Sequence, residues 1–406
     1  MEAIERLIVS EPDTPPATPP GAAAEQARRA GRDTLAQLLR RTRTRTLRLA
    51  QAFEAALGPA LAVPQSPELN PPLWELGHIA WFTDRWVARQ PAHQRERGAR
   101  ADPTATLAPA RQAARGLDAD ALYDSSGVPH DARWSLPLPD LAATRADLQA
   151  SLDETLALLA RAPDTDDGLY AFRLALFHED MHDEAWCYMA QALDIDAGES
   201  APPPPAANDS TLSLDACVWT LGWQGPGFAF DNELGSQTVE LAPFDIDAQA
   251  VSWARYLPAV DARAVPVPRY LKHDNGRWWQ RAAGQWHALD LSAPACHLSA
   301  TEALAWCAWA ARRLPTEAEW EHAAHHAPGF HWGQVWEWTA SPFAPSPGFE
   351  PHPYRDYSQP WFDGRPVLKG ASWATAPQMR HPRYRNFFTA DRCDILAGFR
   401  SVALPR

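Results

Sequence analysis

Through the first half of the chain, apolar and polar residues alternate with the period of an amphipathic helix. Residues 34–57, TLAQLLRRTRTRTLRLAQAFEAAL, place apolar side chains every three to four positions and predict a first long helix. After a loop with Pro71 and Pro72, residues 73–90 (LWELGHIAWFTDRWVARQ) repeat the pattern. A short helical piece is expected at 118–122, a third long helix over 138–161 and a fourth over 168–193. Four long helices in succession predict an up-and-down bundle.

The pattern then breaks. Residues 197–210, AGESAPPPPAANDS, hold a proline run that suits neither helix nor sheet interiors and predicts a stiff linker. Beyond it, short apolar stretches alternate with Gly, Pro, Asn and Asp, and helical spacing returns only at 301–313 and 314–324. The expected organisation is a disordered 1–30, a helical domain at 31–196, a linker at 197–210, and an α+β domain with little regular structure at 211–406.

Composition sharpens this in three ways. Most of the 19 Trp lie from residue 219 onward, which suggests that aromatic packing holds the second half together. A formal charge of −13 argues against nucleic acid as a partner, because phosphate binding needs a basic surface. No apolar run reaches the roughly 18 residues of a membrane span, and the N-terminus lacks the basic start and apolar core of a signal peptide. Five scattered cysteines with no CxxC pair exclude a disulfide framework or zinc knuckle and fit a reducing cytoplasm.

The chemistry concentrates in FHEDMHDE, residues 177–184. On a helix, His178 and His182 lie one turn apart on one face, as two imidazole ligands of one metal require. Glu184 lies about 200° around the helix from His182, so a hydrogen bond that supports a ligand, or a structural one, suits it better than direct ligation. Met181 shares the histidine face and should border the cavity. A third ligand must come from another helix, and His78, set in apolar and aromatic surroundings, is the candidate. The same segment matches H-E-x-x-H, which would make Glu179 the general base of a zinc hydrolase, although the extension that follows in such enzymes is missing. A binding module with structural histidines is a further alternative.

These residues resemble a known family. NPPLWELGHIAWF with HEDMHDEA is similar to the DinB-like helical half of the sulfoxide synthases of ergothioneine biosynthesis. FAFDNE, RRLPTEAEWEHAA, GQVWEWTASPF, VLKGASWAT and RYRNFFTADR…GFR resemble their second half, which has the formylglycine-generating-enzyme-like fold, a variant of the C-type lectin fold. LYDSSGVPHDARWSLPLPD and ALFHEDMHDEAW resemble the selenoneine-forming branch. The resemblance implies Fe(II) on His78, His178 and His182, with O2, hercynine and a selenosugar (1-seleno-N-acetylglucosamine) as substrates. A thiol donor, cysteine or γ-glutamylcysteine, is the alternative.

Further roles follow from the resemblance alone. Tyr354 matches an active-site tyrosine that supplies a proton or hydrogen atom, and Tyr357 a neighbouring pocket tyrosine. Asn386 and Phe387 fall where relatives hold a trimethylammonium group, and Arg392 matches an arginine that grips a thiol donor's carboxylate. Phe388 stands where users of γ-glutamylcysteine carry an acid, and Met181 replaces a glutamine; both departures fit an uncharged donor. Arg133, in a polar run from Asp124, is a candidate contact to sugar hydroxyls, or else simply a carboxylate's partner. Glu317, Trp320, Trp336 and Trp338 read as core residues. The two cysteines that bind copper in formylglycine-generating enzymes have no counterpart in 373–385.

Overall fold

The computed structural model describes residues 21–110, 117–202 and 209–405. Residues 1–20 of the stretch expected to be disordered, and 203–208 of the expected linker, lie outside the described residues. The expectation of disorder to residue 30 is corrected by helix α1 (Ala22–Arg28). Ala24 and Ala27 are buried there, and Arg28 forms an ion pair with Glu233 at 2.6 Å, which ties this segment to the second half.

Helices α2 (Arg32–Leu57), α3 (Pro72–Thr83), α4 (Ala92–Arg95), α5 (Ala119–Tyr123), α6 (Leu141–Leu159) and α7 (Asp166–Ala192) follow. The long ones fall close to the segments that periodicity predicts. Their starts have local causes: Asp140 accepts from Ala143 N ahead of α6, and Thr165 from Gly168 N ahead of α7. Helix α3 ends sooner than its apolar pattern, widening into a π turn over Asp84–Ala88. Helix α2 packs on α7, α3 on α6, and α3 also on α7.

The second half is more regular than expected. It contains α8 (Trp253–Asp261), α9 (Ala300–Trp309) and α10 (Glu317–His326) among short strands. Capping boxes at Ser299–Glu302 and Thr316–Glu319 start α9 and α10. Helix α9 stops short of the predicted 313 because Ala311 turns to φ 50° and Arg312–Arg313 joins a sheet. The sheet nearest the helices has strands Trp336–Pro342, Pro366–Gly370, Asn386–Phe387 and Ala397–Gly398. Trp320 donates to Glu337, Trp338 to Leu298 O, and Arg385 to Glu317, which supports the core reading of these residues.

One buried apolar cluster runs through both halves, from Phe172 and Phe177 through Phe228 and Phe230 to Trp336 and Trp338. Polar contacts reinforce the seam. Glu184 accepts from Trp336 Nε1 at 2.6 Å and Thr375 Oγ1 at 2.8 Å, and also from Ser372 Oγ. Gln378 Nε2 donates to Asp180 at 2.8 Å. The second half is thereby held to the helix that carries His178 and His182.

Buried histidines make the fold acid-sensitive. Burial is the main cause that pushes His297 and His352 down to about 4 from the ordinary 6.5. His297 donates to Asp394 O at 3.1 Å, and His352 Nδ1 lies 2.8 Å from Tyr170 Oη. Between those two values each of these histidines binds more protons in the unfolded chain than in the folded one, so their contribution to stability is complete above about pH 6.5 and declines toward pH 4, while the raised Asp180 carboxyl works in the opposite sense. Melting temperatures of the metal-free protein are expected to fall steadily across that window; a flat profile would contradict it.

Candidate metal centre

His78 on α3 and His178 and His182 on α7 meet at one point. Their potential ligand atoms all lie within 4.8 Å of one another. His178 Nε2 is 3.2 Å from His78 Nε2 and 3.2 Å from His182 Nε2. His78 and His178 are each 3% exposed, so water cannot satisfy them fully.

The outer nitrogens define the inner ones. Tyr123 O can only accept, so at 2.8 Å it fixes the proton of His78 on Nδ1. The carboxylate of Glu75 likewise takes the Nδ1 proton of His182. In their neutral forms both rings then turn an Nε2 lone pair toward His178. A neutral His178 has one proton to offer and cannot satisfy both. Bonds of about 2.1 Å to one cation, at angles from 90° to tetrahedral, would hold such nitrogens about 3.0–3.4 Å apart. The observed spacing fits, and the residues could hold a divalent metal.

Neutral rings are what a metal requires. Burial, then the neighbouring His182, pushes His78 down to about 3. The same causes, with His78 added, hold His178 well below its ordinary value. Local sequence builds the His78 side. Gly77 lets Tyr123 lie against α3, since a Cβ there would sit 2.2 Å from the tyrosine ring. Trp74 stacks on His78 at 4.7 Å and donates to Leu122 O at 2.8 Å. Phe82 lies flat on His178, with centroids 3.4 Å apart.

A cavity of about 230 Å³ opens beside His182 and Glu75. Met181, Asn386 and Phe388 line it, as the sequence suggested, together with Tyr188, Trp336 and Tyr384, which it did not. Tyr354 stands edge-on to Phe82 at 5.0 Å and 6.4 Å from the His178 ring. Burial pushes its phenol up, while a hydrogen bond from Ser125 opposes the shift. Tyr357 is buried behind it, stacked on Phe230 at 4.4 Å and hydrogen-bonded to Tyr384 Oη at 2.9 Å.

Several expected roles are corrected. Phe387 is turned away from the cavity and stacks on Phe343 at 4.1 Å, because neighbouring strand residues face opposite sides. Arg392 is held by Asp394, with Nη2 to Oδ2 at 2.6 Å, and its guanidinium lies 5.1 Å over Phe388. Of the two roles open to Glu184, it takes the structural one, accepting from the second half, and Glu75 is the carboxylate that supports His182. Arg133 does not itself line the cavity: it donates to Asn70, which does, covers Trp74, and lies within electrostatic reach of Glu75. Glu179, the base of the zinc-hydrolase alternative, is paired with Arg43 at 2.6 Å and accepts from Thr46, which leaves it buried and engaged.

Comparison with known proteins places the second half. The family described as sulfatase-modifying factor enzyme 1-like domain matches residues 201–334 and 329–404, half of the chain. The chain belongs to this family. Two hercynine oxygenases match it over nearly their whole length: that of Mycolicibacterium smegmatis is 28% identical, and that of Mycobacterium tuberculosis 29%, each across 91% of this chain and 98% of the relative. The formylglycine-generating enzyme of Streptomyces coelicolor is 32% identical across 34% of this chain and 54% of its own length. Members of the sulfatase-modifying factor enzyme 1-like family matched here include enzymes, and the full-length likeness to oxygenases makes this chain an enzyme too. Among the described residues, no helix is long and apolar enough to cross a membrane.

Proposed function

We propose that this enzyme uses Fe(II) and O2 to join imidazole C2 of hercynine to the selenium of a selenosugar, 1-seleno-N-acetylglucosamine. The observation that carries the reading is the convergence of two fixed Nε2 lone pairs on a third imidazole, beside a cavity walled by aromatic rings. The full-length likeness to hercynine oxygenases supports hercynine as the acceptor. We read residues 31–196 as a DinB-like four-helix bundle, 197–210 as a linker and 211–406 as the formylglycine-generating-enzyme-like domain. The mutual packing of α2, α3, α6 and α7 supports this division. Free cysteines throughout the described chain suit a cytoplasmic protein.

The overall change balances as C2–H plus Se–H plus O2, giving a C2–Se bond with one oxygen on selenium, and water. Reaching selenoneine from that selenoxide takes two further steps: elimination of the sugar as an unsaturated sugar, leaving the selenenic acid, and reduction of the selenenic acid by two equivalents of an external thiol, which leaves as disulfide with water. Iron held by the three histidines would supply O2 activation and a position for the chalcogen. The protein's own share is placement and proton control. Trp336 and Tyr384 offer aromatic faces to a trimethylammonium group, which has no hydrogen to donate. Asn386 lines the same wall. Tyr354, its ring 6.4 Å from that of His178 and its phenol kept protonated by burial, is the residue we assign as proton donor.

The donor is the finer question. A thiol dipeptide would need partners for its carboxylate and ammonium groups. Here Arg392 is committed to Asp394, and Phe388 occupies the position of an acid. Both support an uncharged donor, and cysteine or γ-glutamylcysteine is the alternative. Competing the selenosugar against these thiols with hercynine, Fe(II) and O2 is expected to give chiefly the selenium conjugate by mass spectrometry. A preference for a thiol would reverse the donor assignment; O2 consumption with neither would refute the coupling reaction.

A further inference from the structure

Arg133 reaches α3 from the turn His130–Ser135, which lies outside the long helices. Its Nη1 donates to Asn70 Oδ1 at 2.8 Å, and its guanidinium carbon lies 3.9 Å over the Trp74 ring. Among the described residues that is its one hydrogen bond, and Glu75 attracts it electrostatically without a direct ion pair. A half-buried guanidinium held this way is expensive to desolvate, so its contacts add little to stability on balance.

Each of its two contacts leads to a different histidine. Asn70 Nδ2 donates to Glu75 Oε1 at 2.6 Å, and the other oxygen of Glu75 takes the Nδ1 proton of His182. Trp74 stacks within 11° of the His78 plane, and its Nε1 holds Leu122 O, the carbonyl next to the one that fixes His78. The amide of Asn70 has two orientations, and only one serves. With Arg133 occupying Oδ1, the amide must turn its N–H toward the carboxylate; flipped, it would set oxygen against oxygen. The turn itself is fastened to the first half by His130 Nε2 to Leu69 O at 2.9 Å and Trp134 Nε1 to Val63 O at 3.1 Å.

We propose that Arg133 and Asn70 are positioning residues that aim His182 and His78 at their common point, and so set how tightly the centre grips a metal. The inference rests on the metal-centre reading above, and it moves Arg133 from substrate contact to support of the ligands. Outer partners of this kind typically change metal affinity by about 10–100-fold.

The test is anaerobic titration of the full-length, metal-free protein with Fe(II), and with Co(II) as a probe whose visible absorption reports ligand geometry. Arg133→Met and Asn70→Ala are expected to weaken binding by about 10–100-fold and to move the Co(II) bands, with the metal-free melting temperature recorded for each. In the double variant the loss should fall short of the sum of the two single losses, because both act through one chain of contacts. Asn70→Ser, a smaller change, serves if Arg133→Met does not fold. Folded variants with wild-type affinity and unshifted bands would overturn the positioning role while leaving the metal centre standing. A wild-type protein that binds neither cation would remove both.

Discussion

Replacing His178 with alanine is expected to empty the metal centre and to lower turnover by about a thousandfold or more. His178 Nε2 is the atom to which both other Nε2 atoms come within 3.2 Å. Without it the remaining pair, on α3 and α7, offers two nitrogens and no third. A bound metal typically supplies several kcal/mol of transition-state stabilisation, which corresponds to about three orders of magnitude in rate. The fold should survive. His178 is held mainly by the flat face of Phe82, and alanine removes a ring whose charged form is disfavoured by burial. Metal content by elemental analysis, O2 uptake and a melting curve separate these effects. A folded variant with one iron per chain and ordinary turnover would exclude His178 as a ligand.

How much of this centre could be read from the sequence depends on which distances the helix supplies. His178 and His182 are set one turn apart by backbone geometry alone, so their pairing was legible. His78 requires a tertiary contact, which its apolar setting hints at and the resemblance of NPPLWELGHIAWF to a known family implies. Glu75 was missed although it lies one turn before His78. An acid in the first turn of a helix usually reads as a partner of the helix dipole, and nothing local reveals that this one is 1% exposed. Tyr123 was missed because it acts through its carbonyl, which carries no side-chain signature. Phe387 and Phe388 show the reverse case. Strand alternation alone would have put Asn386 and Phe388 on one face and Phe387 on the other.

The same logic explains the fold. Long helices carry several turns of periodicity, and their caps mark the ends. The strands of the second half span two to seven residues, too few for a period of two to stand out. Their pairing is decided by long-range partners such as Leu368 with Trp338 and Lys369 with Glu337. The helical angle of Glu184 turns it from the metal and leaves a ligand-supporting or a structural hydrogen bond open; Trp336, Ser372 and Thr375 from the other half make it structural.

The second large effect is expected at Tyr354. Phenylalanine keeps the ring that meets Phe82 at 5.0 Å and Trp86 at 5.6 Å, so the shape of the site is preserved and only the O–H is lost. Because burial pushes the phenol up, the role proposed for Tyr354 is that of a proton donor rather than a base. A positioned proton donor typically contributes about 10²–10⁴-fold to rate. Tyr354→Phe is therefore expected to cut coupling by about 100-fold or more and to raise simple oxygenation of the donor in proportion, with hercynine recovered unchanged. Tyr357→Phe makes the comparison, because the Tyr357 ring packs on Phe230, Tyr354 and Phe387 rather than against His178, and it should alter the product ratio far less. Quantifying both products by mass spectrometry decides the matter: an unaltered ratio in Tyr354→Phe would remove this hydroxyl from the reaction, and equal shifts in the two variants would assign the effect to packing of the aromatic wall.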